Sequence, residues 1–242
     1  MKTKKTGKTM RVAGLLLALV LVTSCFVGGT FAKYVTSGNS TDSARVAKFG
    51  VTVNANGTVF AEEYKDPTDT TVTVKSVGAM TVGGKEYKKL VAPGTKGELA
   101  KAVLSGTPEV SVRVDYTAEV SLGDNWVYKS APDAQSQFYC PLTIKINNTA
   151  IDGATYTSKQ ALENAIAGAI NSYSKTYAPN TNLGEQGADA LKISWAWAFE
   201  TGEGANEIKE NDVKDTYLGD QAAAGNPGTI TVGLTTTVTQ VD

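Results

Sequence analysis

The sequence predicts a mainly β domain: an antiparallel β-sandwich or jelly roll with one inserted amphipathic helix and a short second helix. Three observations carry this reading. Apolar residues recur at every second position in several separate stretches. Gly- and Pro-rich turns divide those stretches. One segment, residues 158–173, switches to the three/four spacing of a buried helical stripe.

The chain begins differently. Lys2, Lys4, Lys5, Lys8 and Arg11 make a basic start, and no acid occurs before Asp42. Val12 to Val22 is an eleven-residue apolar run, the size of the hydrophobic part of an export signal. A small-x-small site follows at Thr30-Phe31-Ala32, so cleavage is expected between Ala32 and Lys33. Two other readings stay open. Val22-Thr23-Ser24-Cys25 fits a lipobox loosely, which would put lipid on Cys25. The uncharged run from Val12 to Ala32 is also long enough to span a bilayer, although Thr23, Ser24, Gly28, Gly29 and Thr30 dilute it. The expected organisation is a cleaved signal over 1–32, an N-terminal arm over 33–43 and a β domain over 44–242.

The arm is small and polar, with Tyr34 and Val35 as its apolar anchors. From Arg45 the period becomes two: Ala47, Phe49, Val51 and Val53 share one face. Asn54-Ala55-Asn56-Gly57 supplies a turn. Thr70 to Val77 alternates again. Gly83-Gly84 suggests a tight hairpin, and Ala92-Pro93-Gly94-Thr95 another turn. Val110 to Val120 places six apolar side chains opposite Ser111, Arg113, Asp115, Thr117 and Glu119, so one side meets the core and the other meets water. Trp126 to Tyr128 is a candidate partner for it. Leu142, Ile144 and Ile146 continue the pattern, as do Leu191, Ile193, Trp195, Trp197 and Phe199. A Thr/Val strand from Ile230 to Val238 closes the series.

The helix over Ser158 to Tyr173 buries Leu162, Ala165, Ile166, Ala169, Ile170 and Tyr173. Thr157 with Gln160 reads as its capping box. A shorter helix is expected from Asp212 to Ala224, with Asn211 as cap and Gly225 as stop. Tyr177 to Ala190 and Gly202 to Asn211 read as exposed loops.

Composition restricts the chemistry. The 242 residues contain no histidine. A Ser-His-Asp triad, a Cys-His dyad and an imidazole-ligated zinc site are therefore excluded. Of the 23 basic residues, five fall before Val12, so the chain after Ala32 carries 18 against 24 acids, a net charge of −6. That balance gives no electrostatic footprint for nucleic acid. Cys140 would be alone once the signal leaves, and reads as a small buried apolar residue rather than a reactive thiol. The acids at Asp66/Asp69 and at Glu203/Glu207/Glu210/Asp212/Asp215 read as solvated loop faces, with an oxygen-ligand calcium site as the competing reading. Trp195 and Trp197 fit a core better than a sugar-stacking face. No P-loop or dinucleotide fingerprint occurs, and no cofactor is expected.

Gly28-Gly29-Thr30-Phe31-Ala32-Lys33-Tyr34, followed by Ser43-Ala44-Arg45-Val46-Ala47-Lys48-Phe49, resembles the SipW-type signal peptide and mature start of the TasA/camelysin family. Val91-Ala92-Pro93-Gly94-Thr95, Tyr139-Cys140-Pro141-Leu142, Ser194 to Glu200, Asp215 to Gly219 and Thr235 to Asp242 are further similar landmarks. The resemblance implies a secreted, non-enzymatic, jelly-roll subunit of extracellular fibres in a Gram-positive biofilm matrix. It implies that each subunit donates its N-terminal segment to the next, with signal peptidase as the partner during export and other matrix components as further partners. That family also carries a metalloprotease label, and a chain without histidine cannot hold its H-E-x-x-H motif. A monomeric surface adhesin or carbohydrate-binding sandwich is the alternative reading. A secreted hydrolase using two carboxylates is a third.

Overall fold

The computed structural model describes residues 35–38, 50–54, 59–65, 73–98, 103–185 and 190–241. The expected cleavage site at Thr30, Ala32 and Lys33, Cys25, the anchor Tyr34, the 54–57 turn beyond Asn54 and the Asp66/Asp69 pair lie outside these residues. The described residues belong to one compact unit, Val35–Asp242.

The chain is mainly β. Its strands are β1 (Val35–Gly38), β2 (Thr52–Asn54), β3 (Glu63–Lys65), β4 (Thr73–Lys75), β5 (Met80–Val82), β6 (Lys85–Tyr87), β7 (Lys96–Glu98) and β8 (Val103–Ser105). They continue with β9 (Val112–Leu122), β10 (Val127–Tyr128), β11 (Gln137–Phe138), β12 (Thr143–Ile146), β13 (Thr149–Asp152), β14 (Ser174–Tyr177), β15 (Ile193–Ala196) and β16 (Ile230–Gln240). Helix α1 is Lys159–Asn171 and helix α2 is Ala205–Ala223. One four-stranded sheet has the order β1-β16-β9-β14, a second β13-β12-β15-β7, and short antiparallel pairs complete the fold. No closed barrel forms among the described residues.

The long strands form where the alternation is cleanest. In β9, Val112, Val114, Tyr116, Ala118 and Leu122 are buried, while Arg113, Thr117, Glu119 and Ser121 are exposed. All eleven residues of β9 pair with β16, from Leu122 opposite Ile230 to Val112 opposite Gln240. Val238 therefore stands beside Val114 in the core. The second sheet contributes Ile144, Ile146, Ile151, Ile193 and Trp195 to the same core, as two faces of a sandwich do. Leu162, Ile166 and Ile170 of α1 are fully buried against it. The Gly83-Gly84 hairpin is present: their φ values of +58° and +80° are those of a two-residue turn matched to strand twist. The Pro93-Gly94 turn is closed by Thr95 N–H donating to Ala92 O at 3.0 Å.

Several boundaries differ from expectation. Val110 stays outside β9, which runs on to Leu122. Val127 and Tyr128 pair with Phe138 and Gln137, not with β9. The two sides of β9 are already taken by β16 and by β14 with α1, and Trp126 is drawn into the core, donating from Nε1 to Thr229 O at 2.8 Å. The ladder of β15 ends at Ala196. Trp197 instead bonds through its backbone to Gly94 and Thr95, and Phe199 turns out to solvent at 73% exposure. At α1 the cap is Ser158, whose Oγ accepts from Ala161 N–H at 3.3 Å, rather than Thr157.

The second helix is the larger correction. It spans 19 residues and is the longer of the two, not the shorter. Gly202 to Asn211 contains its first two turns rather than a loop. Glu207 accepts from Glu203 N–H at 2.9 Å across the entry, and its carboxylate lies in the first turn, where the helix dipole favours negative charge. Asn211 does not cap; its Nδ2 donates to Thr201 O at 2.9 Å. At the other end, Asn226 N–H bonds Gln221 O and Gly225 N–H bonds Ala222 O, a Schellman stop with Gly225 at φ +89°.

Candidate strand-addition edge

The arm meets the domain on β16. Strand β1 pairs antiparallel with it: Val35 opposite Thr239, Thr36 opposite Val238, Ser37 opposite Thr237 and Gly38 opposite Thr236. Of the two expected anchors, Val35 thus heads the added strand, and Tyr34 lies outside the described residues. The receiving stretch is well held. Thr236, Val238 and Thr239 are buried, and their other neighbours are Tyr116, Val114 and Arg113 of β9. Four residues of main chain can exchange hydrogen bonds along such an edge without any special side chain.

Described pairing with β1 covers only Thr236 to Thr239 of the eleven residues of β16. Along residues 227–236 runs an open groove of about 1110 Å³, bounded on the far side by Val59, Phe60, Leu90 and the β5–β6 hairpin. Lys85 Nζ in that hairpin donates to Thr231 Oγ1 at 3.1 Å and lies 5.3 Å from the Tyr87 ring centroid. The same side is held by aromatic contacts. Trp195 donates from Nε1 to Val59 O at 2.7 Å, tilts against Phe60 at 5.5 Å and meets Tyr64 edge-on at 5.6 Å. Sequence reasoning missed this groove and Lys85. An alternating strand reveals its two faces, but not which neighbour lies along each of its edges.

The acids resolve into different roles. Asp215 is buried and accepts from Tyr139 OH at 2.7 Å and Trp197 Nε1 at 2.9 Å. Burial pushes its carboxyl above the usual carboxylate range, against the two hydrogen bonds that favour its charged form. The Tyr139 phenol is pushed up by burial and by its bond to Asp215. Asp215 thus pins α2 to the core and is not a solvated loop acid. Among the described residues no cluster of three or more acids or thiols could hold a metal ion. Cys140 is fully buried, and burial pushes its thiol up to about 12, as an inert packing residue requires. Trp126, Trp195 and Trp197 are all buried. Among the described residues, no helix is long and apolar enough to cross a membrane.

The fold and this edge define a β-sheet protein that completes one sheet with its own N-terminal arm. Comparison of the chain with family models, with curated proteins and with solved structures gives no match.

Proposed function

We propose that the chain is a secreted structural subunit of extracellular fibres in a bacterial biofilm matrix or cell surface, of the TasA/camelysin kind, that polymerises head to tail by donating its N-terminal arm. The single observation that supports this most is the β1–β16 pairing. A strand joined to its domain by a connecting segment makes the same main-chain bonds whether its acceptor is its own β16 or that of a neighbour. Exchange of such a strand costs little at equilibrium, and a head-to-tail contact does not close on itself, so it propagates as a filament. Signal peptidase would free the arm at Lys33. Other matrix components are the further partners, and nucleic acid is not among them. The adhesin and sugar-binding alternative lacks a comparable observation, because the three tryptophans are buried.

Electron microscopy of the protein beginning at Lys33, with and without residues 33–43, tests this reading. The longer form should elongate, and the shorter should remain folded and unpolymerised. Fibres of unchanged repeat from the truncated protein would show that the arm is not the connector.

A further inference from the structure

The β9 side of the same sheet is closed by an unusual device. Strand β14 pairs only with Val112 to Asp115 of β9. Beyond it, α1 runs alongside the strand in the opposite direction. Glu163 Oε1 accepts from Leu122 N–H at 2.7 Å, and Asn171 Oδ1 accepts from Ala118 N–H at 2.7 Å. The spacing explains the fit. Eight helical residues rise about 12 Å, and four strand residues rise about 13 Å. Leu162, Ile166 and Ile170 fix the helix in the core, and Glu163 and Asn171 each follow a buried residue by one position, about 100° round the helix on the flank beside that stripe. Lys159 pairs with Asp124 in the turn after β9 and holds the start of the helix there.

We propose that α1 is an edge guard: Glu163 and Asn171 occupy the Leu122 and Ala118 amides of β9, two of those that an incoming strand would use, so strand addition to this sheet is directed to β16 and away from β9. Unpaired strand amides are templates for pairing with another chain, and native sheets cover them. Here the cover is two side-chain acceptors on a helix, in place of a strand. The consequence for fibre geometry rests on the arm-exchange reading, whereas closure of the edge does not.

The test uses the full chain and two pairs of substitutions. Glu163→Leu with Asn171→Leu removes both acceptors. Glu163→Gln with Asn171→Asp keeps them and serves as the rescue. Residue-resolved amide exchange should quicken about fivefold at Ala118 and Leu122 in the Leu pair, the equivalent of one lost hydrogen bond of about 1 kcal/mol. Other β9 amides and the rescue pair should stay at parental rates. Sedimentation of the Leu pair should then show sideways association absent from the parent and from the rescue. If the Leu pair does not fold, Glu163→Ala alone frees Leu122, and the same local exchange and association must appear there. Unchanged exchange at both amides, or faster exchange with no new association, overturns the guard. Arm deletion in the Leu background separates the two proposals: association through β9 must survive it even if fibres by arm exchange do not exist.

Discussion

The two helices attach to the domain by opposite means. Helix α1 has 13 residues and buries three aliphatic side chains completely, at the i, i+4, i+8 positions 162, 166 and 170. Helix α2 is longer, yet only Asp215 and Leu218 are buried. Its hold on the core is the single apolar side chain of Leu218 and one carboxylate shared between Tyr139 and Trp197, with the Tyr128–Tyr217 edge contact at 5.5 Å and Lys214 over the Tyr139 ring at 5.5 Å beside it. Apolar burial is non-directional and sums over many atoms. A buried polar pin depends on each member having its partner. The shorter helix is therefore the structural one, and the longer one is the region expected to open first.

The largest effect should come from the apolar anchor. Ile166→Ala is expected to cost about 2–5 kcal/mol, the lost transfer energy plus the cavity. It should shift the whole denaturant transition, because α1 belongs to the common core. Asp215→Ala comes next, at about 1–3 kcal/mol, since it strands the Tyr139 hydroxyl and the Trp197 N–H in the interior. Its signature should be local: faster amide exchange across 205–223 with β9 and β16 unchanged. Equal loss of protection in β9 would mean that the helices are not independently held.

Acidity sharpens the same contrast. Because the Asp215 carboxyl is raised in the folded state, folding takes up a proton between the unfolded and the raised folded value. Its contribution is full below the unfolded value and is lost as pH rises through the folded value. Stability should thus fall with rising pH in that window, and Asp215→Asn should remove this component from the pH profile of unfolding. Gly225→Ala should cost about 1 kcal/mol through the left-handed backbone at the α2 stop. No atom outside the turn crowds that position, so the whole loss is conformational. The smallest effect is expected for Lys159→Ala. Its pair with Asp124 is exposed and screened, and added salt should erase any difference in melting temperature.

The helices also show what was legible beforehand. The stripe of α1 is visible because each apolar residue recurs at helical spacing, and only the cap slipped by one residue, from Thr157 to Ser158. Helix α2 was half hidden. Its first turns, Ala205 to Asn211, are polar apart from Ala205 and Ile208 and show no apolar stripe, and its one buried acid resembles its exposed neighbours in sequence. Nothing local distinguishes Asp215 from Asp212; the difference is that Tyr139 and Trp197 lie 76 and 18 residues away and meet it only in the fold.

By itself the sequence determined the β class, the inward faces of β9 and β15, the α1 stripe and the two tight turns at Gly83-Gly84 and Pro93-Gly94. Each follows from side-chain period or from backbone preferences within a few residues. Only the tertiary structure decided which strands are neighbours, that Val35 to Gly38 lie on β16, that Glu163 and Asn171 close the side of β9, and that Phe199 leaves the core. Those outcomes depend on contacts between residues far apart in the chain. An alternating pattern states which face of a strand is buried, but main-chain donors and acceptors are the same in every residue but proline, so the partner along each edge is chosen by the packing of the whole.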